Sequence, residues 1–360
     1  MIKTGVIQSR HPSGVDIQST AEFILHVQRA SGEIPWSESG KTDPWDHVES
    51  AMGLTVAGYP EAAERAYAWS AGTQLPDGSW WSYYRNGAPE QGAYKDSNMT
   101  AYIAVGIYHH YLATQDKGFL HRMWPVVKKA IDYVVSMQGP GGEINWAKRA
   151  DGSISSRALR TGSSSIYMSM KCALTIATLL GRREHRWNKA QGLLGNAIRY
   201  RPERFDMSKA RFSMDWYYPV LCGAVTGDAA WSRLQTQWTC FAVPGWGIRC
   251  VSDRQWATMA ETAELAMALA AIGHDHAAET TLHWILDKRY ANGAFWTGIT
   301  FPDGIIYTGE QTTWTGAAVL LAADILYNLT PAGRLFRHST WAPNAVLRNS
   351  MCGAKNPKFT

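Results

Sequence analysis

Apolar residues along this chain alternate between two textures. Six segments open on a polar or acidic residue and continue with small and apolar side chains on nearly every face. They start near Trp45 (WDHVESAMGLTVAG), Ser97 (SNMTAYIAVGIYHHYLA), Ser163 (SSSIYMSMKCALTIATLLG), Met214 (MDWYYPVLCGAV), Arg254 (RQWATMAETAELAMALAAIG) and Glu310 (EQTTWTGAAVLLAADILYN). Helices that are apolar all round are buried ones. Between them lie segments such as 119–138 and 276–290, with apolar residues three and four apart and charges elsewhere, the pattern of half-wetted outer helices. The stretch DIQSTAEFILHVQRA (16–30) supplies the one further outer helix the count requires.

A loose period of about 40–50 residues signals supersecondary units that bury their apolar faces only against neighbours. Six helical hairpins closed on themselves predict an all-α fold, an (α/α)6 toroid of six inner and six outer helices. An open solenoid ranks lower, because the chain stops at six pairs and its first and last helices can pair. The links into the inner helices, QLPDGSWWSYYRNG (74–87), GGEINWAKRADG (141–152) and GAFWTGITFPDGIIYTG (293–309), set aromatic residues around tight Gly turns. They predict short hairpins on the face where the inner helices begin.

Composition adjusts this picture little. With 360 residues, 46% hydrophobic and 18% charged, and 17 Trp and 12 Met, the chain buries a large core. No linker divides it, so residues 1–360 read as one domain with peripheral tails at 1–15 and 340–360. The net charge of +5 sits in short patches at 181–186, 199–204 and 353–358, which is no nucleic-acid footprint. Five cysteines without a C-x-x-C pair (Cys172, Cys222, Cys240, Cys250, Cys352) fit neither a disulfide framework nor zinc. No apolar leader and no run of 18 apolar residues occurs, so the expected location is the cytoplasm, without membrane contact. A homo-oligomer is compatible with the sequence. No metal motif is present and no cofactor is expected.

Candidate chemistry gathers at the inner-helix starts: Asp46 and Glu49, Asp96, Asp215, Glu261 and Glu264, and Glu310. Each alone reads as a helix-dipole partner worth about 0.3–1 kcal/mol. In a ring, however, these ends converge on one cavity. Carboxylates among Trp and Tyr suit glycosidic cleavage, in which one carboxylic acid protonates the leaving oxygen and a second carboxylate activates water or attacks the sugar. Placed two turns into WATMAETAELAMALAA, Glu261 reads as a buried residue with a raised pKa, the general acid. Asp46 reads as the ionised base nearer the mouth. Glu264 is either a second candidate acid or a core group hydrogen-bonded to a neighbouring inner helix. His47 reads as a structural histidine that also borders the site. Sugar contacts are expected from Trp45, Trp80, Trp81, Tyr83, Tyr84, Trp146, Trp216, Tyr217, Trp256, Trp296 and Trp314, and from the polar groups of Arg85, Asp96, Arg160, Asp215, Gln255 and Gln311.

Together WDHVESAMGL, LPDGSWWSYY and WATMAETAELAMAL resemble the mycobacterial methylmannose polysaccharide hydrolases, cytosolic endo-mannosidases of (α/α)6 fold. The resemblance runs from about residue 16 to 338. It implies Asp46 and Glu261 as the two catalytic carboxylates, and a partly O-methylated α-1,4-mannan as substrate, cut internally and with inversion. Two other readings compete. QLPDGSW (74–80) also resembles the Q-x-x-D-G-x-W repeat of squalene-hopene cyclases, yet the D-x-D-D acid motif of those enzymes is missing. A non-catalytic carbohydrate-binding toroid would keep the aromatic cavity but tolerate loss of either carboxylate.

Overall fold

The computed structural model describes residues 14–342. Most of both expected tails, Cys352 and the basic stretch 353–358 lie outside that range. Helices alternate inner and outer among the described residues. The inner layer is α2 (Pro44–Val56), the nearly continuous pair α4 (Ser97–Ala101) and α5 (Ile103–Thr114), α7 (Arg160–Leu179), α9 (Ser213–Leu221), α11 (Met259–Ala271) and α13 (Thr313–Tyr327). The outer layer is α1 (Ile17–Val27), α3 (Pro60–Thr73), α6 (Lys117–Ser136), α8 (His185–Tyr200), α10 (Gly227–Phe241) and α12 (Asp275–His283).

Each inner helix packs on the next, and α13 packs back on α2. The ring is therefore closed, and the molecule is an (α/α)6 toroid. Small residues make the closure possible. Gly53 of α2 faces α13 so closely that a Cβ there would stand 2.9 Å from that of Ala317. The N-terminal loop reinforces the seam, since Thr313 donates its amide to Trp36 O at 2.7 Å and its hydroxyl to Pro35 O at 2.8 Å. Those bonds start α13 at Thr313, three residues after the expected Glu310.

One device recurs where outer helices end. Gln74, the C-cap of α3, gives its amide to Gly78 O and to Val126 O of the next outer helix, α6. Gln28 repeats this toward Gly32 and Ala62, and Gln138 toward Gly142 and Ala190. Gly78 sits at φ +92°, where a Cβ would lie 2.2 Å from Lys129 O. The Q-x-x-D-G-x-W motif is thus a pin between successive outer helices, a feature of the fold and not of isoprenoid chemistry.

The expected hairpins are short antiparallel ladders. They are β1 (Lys41–Thr42), β2 (Tyr84–Arg85) and β3 (Ala88–Pro89); β4 (Lys95–Asp96) with β5 (Ala147–Lys148); and β6 (Ala242–Val243), β7 (Gly247–Arg249), β8 (Trp256–Thr258) and β9 (Gly298–Thr300) in one four-stranded sheet. The sequence pattern starts the fifth inner helix near Arg254. Instead Trp256, Ala257 and Thr258 pair with β7 and β9, as aromatic and β-branched residues favour, and α11 begins at Met259. At the opposite end of the ring, residues 331–341 run beneath the inner helices. Arg337 donates to Ala270 O and Ile325 O, His338 to Val220 O, and Trp341 lies 6.2 Å from Tyr108.

Candidate active site

The first inner helix begins where its sequence says it should. Asp43 is the N-cap, accepting from the amides of Trp45 and Asp46 at 2.7 and 2.9 Å, and Pro44 occupies the first helical position, where its missing N–H costs nothing. Asp46 is then the third helical residue and Glu49 the sixth. In α11, counted from Thr258 as N-cap, Glu261 is again the third and Glu264 the sixth. Two helices that both pack on α13 thus carry a carboxylate pair at the same register. The first-turn place of Glu261 corrects the expectation of a residue two turns deep. It caps no amide; it is 9% exposed, and its Oε2 has no hydrogen-bond partner among the described residues.

Electrostatics tie the four groups together. Burial, then the charge of Asp43, then Glu49 and Glu264, push Asp46 well above the usual carboxylate range. Asp43 is also raised by burial, but it accepts from Trp36 Nε1 as well as from its two capped amides. Of the two neighbours, Asp46 is pushed the further from the usual carboxylate range, whereas the sequence pattern had it ionised at the mouth. Glu49 is raised in turn by burial and by the charges of Glu264, Asp43 and Glu261. Glu264 accepts hydrogen bonds from Tyr217 and Tyr218 of α9 and is raised by burial to about 7. It is the core group bonded to a neighbouring inner helix that the sequence allowed. Burial and the charge of Glu261 raise the Cys250 thiol. Trp45 lies 5.7 Å from both Tyr102 and Tyr218, framing the cluster.

Near the start of each inner helix lies a buried polar atom that has no hydrogen-bond partner among the described residues: Trp45 Nε1, Asn98 Oδ1, Ser163 Oγ, Ser213 Oγ, Glu261 Oε2 and Trp314 Nε1. Buried polar groups are normally paired.

The remaining expected contacts divide by burial. Trp81, Tyr83, Trp146, Trp256, Trp296 and Trp314 are half-buried on the loop face. Trp146 packs edge-on against Tyr94 at 5.0 Å beside a cavity of about 540 Å³. Others pack or pair within the protein. Trp80 is 2% exposed and donates to Ser70 O. Tyr84 is buried, its hydroxyl taken by the Trp81 amide. Trp216 stacks on Phe241 at 5.2 Å and donates to Arg233 O. His47 is buried, accepting from Ile34 N and donating to Ala66 O, and burial lowers it to about 4. Arg160 and Asp215 pair with each other at 3.2 Å between α7 and α9. Asp96 caps α4 and is raised by burial to about 7. Arg85 pairs with Glu90, Gln311 accepts from Asn292, and Gln255 is exposed. Glu310 lies in the loop before α13, held by Ser37 and Ser39. Sequence reasoning missed Asp43, Tyr102, Tyr218 and Trp36. The D-P-W cap signature pointed to the first, and the WYY run to Tyr218.

Comparison places this geometry among known folds. A solved glycosidase superposes with a TM-score of 0.66 at 16% identity, covering 88% of this chain and 96% of its own. A GH63 mannosylglycerate hydrolase from Thermus thermophilus gives 0.66 at 11% identity, over 84% and 98%. A D-mannose isomerase gives 0.65 at 10%, over 87% and 95%, so the likeness carries the toroid and not one chemistry. No family model matches. The sequence itself is 51% identical over 320 residues, 89% of this chain and 88% of the relative, to the MMP endo-(1,4)-3-O-methyl-alpha-D-mannosidase of Mycolicibacterium hassiacum. The protein is a glycoside hydrolase. It belongs to the family of that endo-mannosidase, as the motifs around Asp46, Trp80 and Glu261 implied.

Proposed function

We propose that this protein cleaves internal α-1,4-mannosidic bonds of a partly O-methylated mannose polysaccharide, with Asp46 as proton donor and Glu261 as the base that activates water. The observation that carries the reading is the register match: Asp46 and Glu261 stand at equivalent positions of two inner helices, the first raised by burial and by the charge of Asp43, the second with a carboxylate oxygen that no described residue engages. A donor must hold its proton at working pH, and the burial of Asp46 beside Asp43 supports that role. This assigns the two roles in the order opposite to the one the sequence pattern favoured. Inversion is part of the proposal. Neighbouring helices pack about 8–10 Å apart, and α2 and α11 have α13 between them, which favours the wider carboxylate spacing of about 6.5–9.5 Å that leaves room for water. The half-buried Trp and Tyr side chains of the loop face offer stacking surfaces for pyranose rings. Methyl ethers make such sugars less polar, in keeping with this lining.

Cytoplasmic residence belongs to the same proposal. Its support is that the four described cysteines are free thiols and that no helix among the described residues is long and apolar enough to cross a membrane. The test is digestion of a panel of α-mannans, methylated and unmethylated, with products weighed by mass spectrometry and the first-formed anomer read by proton NMR. β-configured reducing ends from an α-linked substrate are expected; α-configured ends would refute inversion. Asp46→Asn and Glu261→Gln should each lower turnover at least about a hundredfold with the fold intact, and full activity in either would remove it from the pair.

A further inference from the structure

On the face opposite the carboxylates, α7, α8 and the segment 338–342 border an open groove of about 750 Å³. Its charge is one-sided. Lys171 and Arg199 line it beside His338, whose imidazole burial holds toward the neutral form, and no aspartate or glutamate does. Lys171 projects from the middle of α7, half-buried, and neither hydrogen-bonds nor pairs with any carboxylate among the described residues. Its ammonium lies 4.3 Å over the ring of Trp341 and 5.7 Å from that of Tyr167. Arg199 commits one nitrogen to Ala224 O, and His338 one to Val220 O, leaving further donor capacity on the guanidinium. Gly223 keeps the wall open between them: a Cβ there would stand 3.4 Å from Lys171 Nζ and 3.6 Å from His338 Cδ2. Asn188 and Gln191 add neutral hydrogen-bonding groups from α8.

A half-buried ammonium without a counter-charge is costly unless an anion completes it. Burial pulls Lys171 down to about 8, the mark of a cation lacking such a partner. We infer that this groove is an anion-binding site, separate from the carboxylate cluster, that takes a small molecule bearing a phosphate or carboxylate head group between Lys171 and Arg199. The uncharged amides of Asn188 and Gln191 would receive the polar body of that molecule.

Isothermal titration at fixed ionic strength tests this with inorganic phosphate, pyrophosphate and citrate, run on the wild type and on Lys171→Met and Arg199→Gln, with Asp46→Asn as the control at the other face. Saturable binding of at least one anion to the wild type and to Asp46→Asn is expected, weakened about tenfold or more in each groove variant, as loss of a charge-assisted contact implies. Preference for phosphate and pyrophosphate over citrate identifies the head group as phosphate, and the reverse order as carboxylate. Absence of saturable heat with all three anions, or equal affinity in folded Lys171→Met, overturns the proposal. Should Lys171→Met lose its near-ultraviolet signature, Arg199→Gln decides alone, because Arg199 lies on the outer helix.

Discussion

Replacing Glu264 by glutamine removes a titrating group from the centre of the site while keeping its shape. Glu264 is 6% exposed and titrates at about 7 against an ordinary 4.5. A group whose folded value is raised favours the folded state at low pH and opposes it as pH climbs from the unfolded to the folded value. At 1.36 kcal/mol per unit, the carboxylate costs the fold about 3 kcal/mol above neutrality. At pH 5 the cost is only about 1 kcal/mol, since the unfolded chain is then ionised only a little beyond its midpoint. The amide carries no such cost at any pH. Altered bonds to Tyr217 and Tyr218 add a term that does not vary with pH, so only the slope matters. Urea unfolding of both proteins at pH 5, 6, 7 and 8 should therefore show the stability of Glu264→Gln, relative to the wild type, rising by about 2–3 kcal/mol across the range. A difference that stays flat, or falls with pH, would refute the assignment of Glu264 as a strained carboxyl.

Asp43→Asn keeps an N-cap oxygen but removes the charge that holds the proton on Asp46; the alkaline limb of the kcat/KM profile should move to lower pH, and a limb that stays or moves up contradicts the donor role. Gln74→Ala cuts the pin from α3 to α6, two hydrogen bonds, and should lower the unfolding free energy by about 1–3 kcal/mol with kcat unchanged, as read by denaturant titration and steady-state rates. Neighbouring tryptophans should behave oppositely: Trp80→Ala, emptying a buried slot, costs about 3–5 kcal/mol of stability, whereas Trp81→Ala, on the half-buried loop face, raises KM with little effect on the melting temperature.

The ring was legible because its signal is compositional and long. Segments such as SSSIYMSMKCALTIATLLG are apolar on all sides, and nothing but a buried inner helix accommodates them. Helix starts were less legible where loops compete for the same residues. WAT at 256–258 satisfies a helix pattern as well as a strand, and pairing with β7 and β9 decides it. That shift of five residues turned Glu261 from a deep residue into a first-turn one. The carboxylate pairs could be read from sequence, since Asp46 and Glu49 repeat the spacing of Glu261 and Glu264. Their protonation could not, because it depends on Asp43 lying against Asp46 and on how many amides each accepts. Aromatic residues misled for a related reason: Trp80 and Trp81 are adjacent in sequence, and backbone direction alone sends one under the loop and the other out.

Residues 331–341 floor the ring, anchored by Arg337 and His338 on the ends of α9, α11 and α13. The toroid is accordingly a blind cup, and no polymer can be threaded through it. A sugar unit that reaches the carboxylates must dip over the rim and leave by the same opening, with both flanking strands lying outside. The half-buried Trp81, Trp146 and Trp256 stand on the loops that form this rim.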